Sequence, residues 1–135
     1  METLEGRQLE ILRDGKNYAH VAIPAEDGSV QTVIVWAHVD GEGRVVLNSA
    51  EGRTWPARLR KAGKATVTLM ADGNPYEYVS IKGILAEDTH DGADENIDQL
   101  AKKYLDEDSY PFRQPGEQRI LFKLSPEGVS YVKQG

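Results

Sequence analysis

From Gln31 to Val39 the chain alternates. Val33, Val35, Ala37 and Val39 fall on one face, and Thr32, Ile34, Trp36 and His38 on the other. A period of two over nine residues predicts a β-strand. Both faces carry apolar groups, so the expected strand is central and covered on both sides. Turn residues bracket it, Asp27-Gly28 before and Asp40-Gly41-Glu42-Gly43 after. Similar punctuation separates further runs of strand type at 18–24, 44–48, 65–70, 76–86, 119–124 and 129–132. Asp72-Gly73-Asn74-Pro75 and Pro126-Glu127-Gly128 supply two more turn signals. Gly83 inside the long run 76–86 predicts a bulge or a close backbone approach. Hairpins in series predict a mainly antiparallel β fold. A small barrel is the natural architecture, because closure removes exposed edges.

Two segments depart from this pattern. Leu4, Leu9, Ile11 and Leu12 predict an N-terminal helix within 1–15, ended by Asp14-Gly15. Residues 91–106 predict a late amphipathic helix with Asp91 as N-cap. Ile97, Leu100, Ala101, Tyr104 and Leu105 form its apolar stripe, opposite Asp94, Glu95 and Asp98. Lys102 and Lys103 sit at its C-terminal end, where the helix dipole favours cations. A loop at 106–118 carries Tyr110-Pro111-Phe112. For this loop, packing over the barrel mouth is the favoured reading, and lining a ligand pocket is the other. The whole length, 1–135, fits one domain.

Charge is unevenly spread. The chain is acidic, with a net charge of −6, which argues against general nucleic-acid binding. Yet Arg53, Arg58, Arg60, Lys61 and Lys64 crowd into the stretch that follows the strand run ending at Asn48. That stretch passes through Ser49 and Gly52 and enters a short helix with Pro56 in its first turn. A strand end, a glycine loop and a helix N-terminus edged with arginine can hold a small anion. A solvated basic turn is the alternative, and both readings stay open at this point. There is no cysteine, hence no disulfide, thiol catalysis or cysteine metal site. No segment resembles a signal peptide or reaches membrane-spanning length, so a cytoplasmic protein without membrane association is expected.

Self-sufficient catalytic chemistry is not in evidence. His20 lies inside an apolar strand and is expected to be packed and hydrogen-bonded. His38 and Asp40 lack a third ligand at suitable spacing, so no metal is expected. Ser49 and Ser80 lack a nucleophile-elbow context, and no glycine-rich dinucleotide or nucleotide motif occurs. No catalytic residue is assigned. An enzyme built on this chain would rely on a bound cofactor for its chemistry.

Five pieces in order carry a family resemblance. They are Ala19-His20-Val21-Ala22-Ile23; Val33-Ile34-Val35-Trp36; Val46 to Arg53 leading to Leu59-Arg60-Lys61; Tyr76 to Gly83; and Lys103-Tyr104-Leu105 followed by Tyr110-Pro111-Phe112 and Arg119-Ile120-Leu121-Phe122. Together they resemble the F420-dependent branch of the pyridoxamine 5'-phosphate oxidase-like flavin and deazaflavin proteins. The resemblance implies a six-stranded antiparallel split β-barrel of FMN-binding type. It implies a homodimer with cofactor sites at the interface, and F420 as cofactor, with FMN as the alternative. It also implies an oxidoreductase acting on a small-molecule substrate; a non-catalytic cofactor-binding protein is the remaining alternative. By resemblance Asn48, Ser49, Arg53, Arg58 and Lys61 hold the phosphate, and Gln31, Thr32, Val33 and Val35 lie against the ring. Trp55 stands where the family commonly has lysine; packing on the cofactor and plugging the dimer interface are equally open readings for it. Arg58 stands where it commonly has asparagine. Arg60 and Lys64 could meet the anionic oligoglutamate tail that distinguishes F420 from FMN. The C-terminus lacks the arginine- and histidine-bearing tail of true pyridoxamine phosphate oxidases, which argues against vitamin B6 oxidation.

Overall fold

A computed structural model describes residues 2–134. Met1 and Gly135, the outer limits of the expected 1–15 helical segment and 1–135 domain, lie outside the described residues. The elements run α1 (Gly6–Arg13), β1 (Ala19–Pro24), β2 (Val30–Val35), β3 (Ala37–Val39), β4 (Val45–Ala50), α2 (Thr54–Ala62), β5 (Lys64–Ala71), β6 (Asn74–Thr89), α3 (Ala93–Leu105) and β7 (Arg119–Lys133). The seven strands form one antiparallel sheet in the order β2-β1-β5-β6-β7-β4-β3.

The two outermost strands of that sheet are consecutive in the chain. β2 ends at Val35 and β3 begins at Ala37, with Trp36 alone between them. A sheet whose far edges are joined by one residue must curl until those edges meet. The result is a split β-barrel, closed by covalent connection at Trp36 instead of by a hydrogen-bonded ladder. The resemblance implies six strands and the structure has seven. The expected strand 31–39 is broken at Trp36, while the runs 119–124 and 129–132 merge into β7. The expected turn at Pro126-Glu127-Gly128 is a bulge: Lys82 pairs with Gly128 and Gly83 with Pro126, leaving Glu127 as the extra residue. β4 pairs with β7 only as far as Leu124. Proline is tolerated there because one side of β7 has become an edge.

A second correction concerns β2. It is an edge strand paired with β1, not a central strand covered on both faces. The alternation itself is as expected: Val33 and Val35 pack against the barrel interior, while Val30, Thr32 and Ile34 are exposed. Apolar character on both faces signals coverage, but the strand order leaves the outer face of β2 open within this chain.

The core fills the barrel. Val21, Ile23, Leu47, Val67, Leu69, Ile81, Phe122 and Leu124 are fully buried in one cluster. α1 adds Ile11 and Leu12 to it, and α2 adds Trp55 and Leu59. α3 packs outside, where Ala93 meets Val46 and Leu121, and where Ile97, Leu100 and Tyr104 gather Trp36 and Tyr110. Gly92, in the left-handed region at φ +79°, is the N-cap of α3, one residue later than the expected Asp91. No helix among the described residues is long and apolar enough to cross a membrane.

Candidate functional site

The joint at Trp36 opens a cleft of about 310 Å³. Ile34 and Val35 reach it from the end of β2, Asn48 from β4, and Arg53 from the residue before α2. Ile97 and Leu100 come from α3, Tyr110 and Phe112 from the loop 106–118, Arg119 from the first position of β7, and Tyr18 from just before β1. No carboxylate and no histidine is among these residues, while two arginines are.

Aromatic rings build one wall. Trp36 stacks on Tyr104 at 5.3 Å between centroids, nearly parallel. Tyr110 stands edge-on to Trp36 at 6.1 Å, and Phe112 edge-on to Tyr110 at 5.8 Å. Offset-stacked and edge-to-face arrangements of this kind are the favoured aromatic geometries. The wall is braced from behind. The Tyr104 hydroxyl donates to the Asn17 carbonyl at 2.5 Å and accepts from the Ala37 N–H at 3.2 Å. Burial pushes that hydroxyl up to about 12. The Lys103 ammonium donates to the Leu12 and Ala37 carbonyls at 2.7 and 2.8 Å, and burial pulls it down to about 8. The loop 106–118 is tied to α3: Tyr110 N–H donates to Asp98, and Arg113 reaches both Asp94 and Asp98.

The polar floor is a buried network. Asn48 donates through Nδ2 to the Ala93 carbonyl at 2.8 Å and to Asn96 Oδ1 at 3.0 Å. Its Oδ1 accepts from Arg119 Nε at 3.0 Å. Arg119 donates through Nη1 to Glu117 at 2.9 Å and lies 5.1 Å beneath the Tyr110 ring. Arg53 is exposed at the N-cap of α2, where no side chain caps the helix and the positive end of its dipole lies.

Of the site residues expected from sequence, Val35, Asn48 and Arg53 line this cleft. Arg58 and Lys61 lie farther along α2 and border a separate cleft of about 390 Å³, together with Pro24, Glu26 and Thr54. Arg60 is bound to Glu51 at 2.6 Å and to Asp88 at 2.7 Å, with its guanidinium over the Phe122 ring. Trp55 is buried against Phe122 in the barrel core and lines neither cleft. Ser49 is fully buried with an unpartnered hydroxyl, and Gln31 has an unpartnered buried carbonyl oxygen. Gln31 and Val33 are half-buried on β2; Thr32 is exposed on its outer face. Tyr110 and Phe112, in the loop whose favoured reading from sequence is simple packing, line the cleft. Trp36, Tyr18 and Arg119 line it too, and no sequence pattern marks them as site residues. His20 Nδ1 lies 3.3 Å from the Thr68 carbonyl, and among the described residues no group of three His, Asp or Glu is arranged to hold a metal ion.

No family model and no curated protein matches the sequence. Solved structures do match the fold. An F420 reductase superposes with a TM-score of 0.76 at 20% identity, over 93% of this chain and 98% of that one. An FMN-binding protein from Syntrophomonas wolfei subsp. wolfei gives 0.63 at 15%, over 94% and 87%. A pyridoxamine 5'-phosphate oxidase-like protein from Listeria innocua gives 0.63 at 16%, over 87% and 89%. The chain shares the split β-barrel fold of these solved structures.

Proposed function

We propose that the cleft at Trp36 binds a phosphate-bearing deazaflavin or flavin, F420 in the first instance. On this reading the protein is an oxidoreductase that moves a hydride between the reduced cofactor and a small organic acceptor. The observation that carries the reading is the lining of the cleft: flat aromatic walls and two arginines with no carboxylate, in a chain whose net charge is −6. The residues fit a planar heteroaromatic anion. Arg53, beside the uncapped N-terminus of α2, suits a phosphate by charge and by free N–H donors. Trp36, at the joint of the barrel, suits the edge of a fused ring. Ile97 and Leu100 keep water from one side. The bound cofactor supplies the hydride chemistry; the chain binds, orients and desolvates. With no carboxylate or histidine lining the cleft, protons are left to solvent.

The reading includes a homodimer. β2 is an open edge strand, and Ile34 on its outer face is 62% exposed beside the cleft. Phe112 on the neighbouring loop is 59% exposed. A second copy seated there would cover both and wall off the cleft, bringing Gln31, Thr32 and Val33 close to the interface.

FMN is the second reading, and one observation favours it. Arg60, a candidate for the acidic tail of F420, is already held by Glu51 and Asp88. Titration of the purified protein with F420 and with FMN separates the two. Arg53→Ala is expected to weaken binding by about one to two decades, the worth of a hydrogen bond to a charged group, roughly 1.5–3 kcal/mol. Arg58→Ala and Lys61→Ala, at the other cleft, are expected to have smaller effects. Arg60→Ala is expected to lower thermal stability more than affinity. Tight binding of neither cofactor would end this reading. Binding without turnover of any acceptor would leave a cofactor carrier.

A further inference from the structure

Arg119 is only 4% exposed, yet it lines the cleft. Its Nε donates to Asn48 Oδ1 and its Nη1 to Glu117, whose side chain is 7% exposed. Among the described residues Nη2 makes no hydrogen bond, although a buried guanidinium ordinarily uses its donors. Tyr110 lies over the guanidinium at 5.1 Å and fixes its plane. Asn48 is itself held by Asn96 and by the Ala93 carbonyl. The arginine is therefore clamped on two sides and roofed by an aromatic ring, and it lines the cleft with Nη2 unused by the described residues. An arginine needed only to pair with Glu117 would not require this position at the floor of a cleft.

We propose that Arg119 anchors a second ligand, the acceptor: a flat conjugated molecule bearing a carboxylate, gripped by the guanidinium edge that the protein leaves free. This rests on the reading of the cleft as the ligand site and adds the class of its occupant. Two further observations select that class. The rings of Tyr110 and Phe112, next to Arg119, favour a planar body. The ion pair of Arg119 with Glu117 carries no net charge, so the gain is a directed, charge-assisted hydrogen bond more than long-range attraction. Such a bond discriminates a carboxylate from the amide of the same shape, because a full negative charge on the acceptor adds Coulomb attraction to the cationic donor that a neutral carbonyl lacks. Arg53, the other cation of the cleft, remains for the cofactor phosphate.

The test is calorimetric titration of the cofactor-free protein with cinnamate and with cinnamamide, two flat probes that differ in charge. Wild type is expected to bind cinnamate roughly tenfold more tightly, or better. Arg119→Gln is expected to abolish the preference, and Arg119→Lys to keep part of it. Because Arg119→Gln strands a buried Glu117, the double variant Arg119→Gln/Glu117→Gln is measured beside it, with thermal melts of all variants as the check on folding. Failure of wild type to bind cinnamate, equal binding of the two probes, or a preference that survives in the folded double variant would each overturn the assignment. Separate titrations with F420 and FMN keep the two readings apart. Absence of cofactor binding in wild type overturns the cofactor reading and, with it, the acceptor role, while absence of the cinnamate preference in a protein that binds cofactor overturns the anchor alone.

Discussion

Glu77 is held on two sides. Arg7 donates to it through Nε at 2.9 Å and Nη2 at 3.1 Å, and the Tyr131 hydroxyl donates at 2.6 Å. The hydrogen bonds from Arg7, then from Tyr131, pull its carboxyl down to about 2. A carboxylate whose pKa falls on folding stabilises the native state above its unfolded value, near 4.5. That contribution is lost as the pH drops from there toward 2. Glu77→Gln is therefore expected to melt less steeply with acid than wild type between pH 5 and pH 2.5, and to be less stable at pH 7. Parallel acid profiles would show that the network does not couple to folding. At the same scale, part of the site could be read from the chain. Arg53 and Asn48 lie in a stretch whose local chemistry, strand end then glycine then helix, points to an anion, while Val35 follows only from the family resemblance. Arg119 carries no such local sign. Its partner Asn48 is 71 residues away, and sequence offers only the oddity of an arginine opening a buried strand. Trp36 is legible as a strand residue, but nothing local marks it as the place where the strand breaks.

Gly83 illustrates what an element requires of one position. A Cβ built there would lie 2.9 Å from Leu124 Cβ, and the register of β6 against β7 shifts at the same point. Gly83→Ala is expected to cost about 1–3 kcal/mol, as overpacking commonly does, read from chemical denaturation. An unchanged midpoint would mean that the strands slide apart freely at the bulge. The glycine inside an apolar run already points to a bulge or a close approach, and both occur. Element existence follows from alternation and turn residues almost throughout. Strand ends do not, because they depend on which neighbour is still present. β7 runs through Pro126 since β4 has ended by then, and β2 stops at Val35 since the barrel must turn.

At the scale of the molecule, the open edge of β2 is the feature that most needs an explanation. Exposed strand edges with apolar side chains are aggregation hazards unless covered. Under the homodimer proposal, Ile34→Lys is expected to convert a species of twice the 15.0 kDa chain mass into one of single mass in sedimentation experiments. Wild type sedimenting as a single chain at micromolar concentration would remove the proposal. The sequence carries half of this story, since apolar residues on both faces of residues 31–39 announce coverage. It does not reveal whether that cover comes from the same chain, because strand order depends on pairings distant in sequence.

The chain has two tryptophans, and the fold separates them. Trp36 borders the cleft between Tyr104 and Tyr110, whereas Trp55 is sunk in the barrel against Phe122. The molecule thus carries two optical channels. Trp55→Phe would leave an emission that responds to whatever enters the cleft. Trp36→Phe would leave one that responds to melting of the barrel. Recorded on the same preparation, the pair would time ligand arrival and core loosening independently, without any added dye.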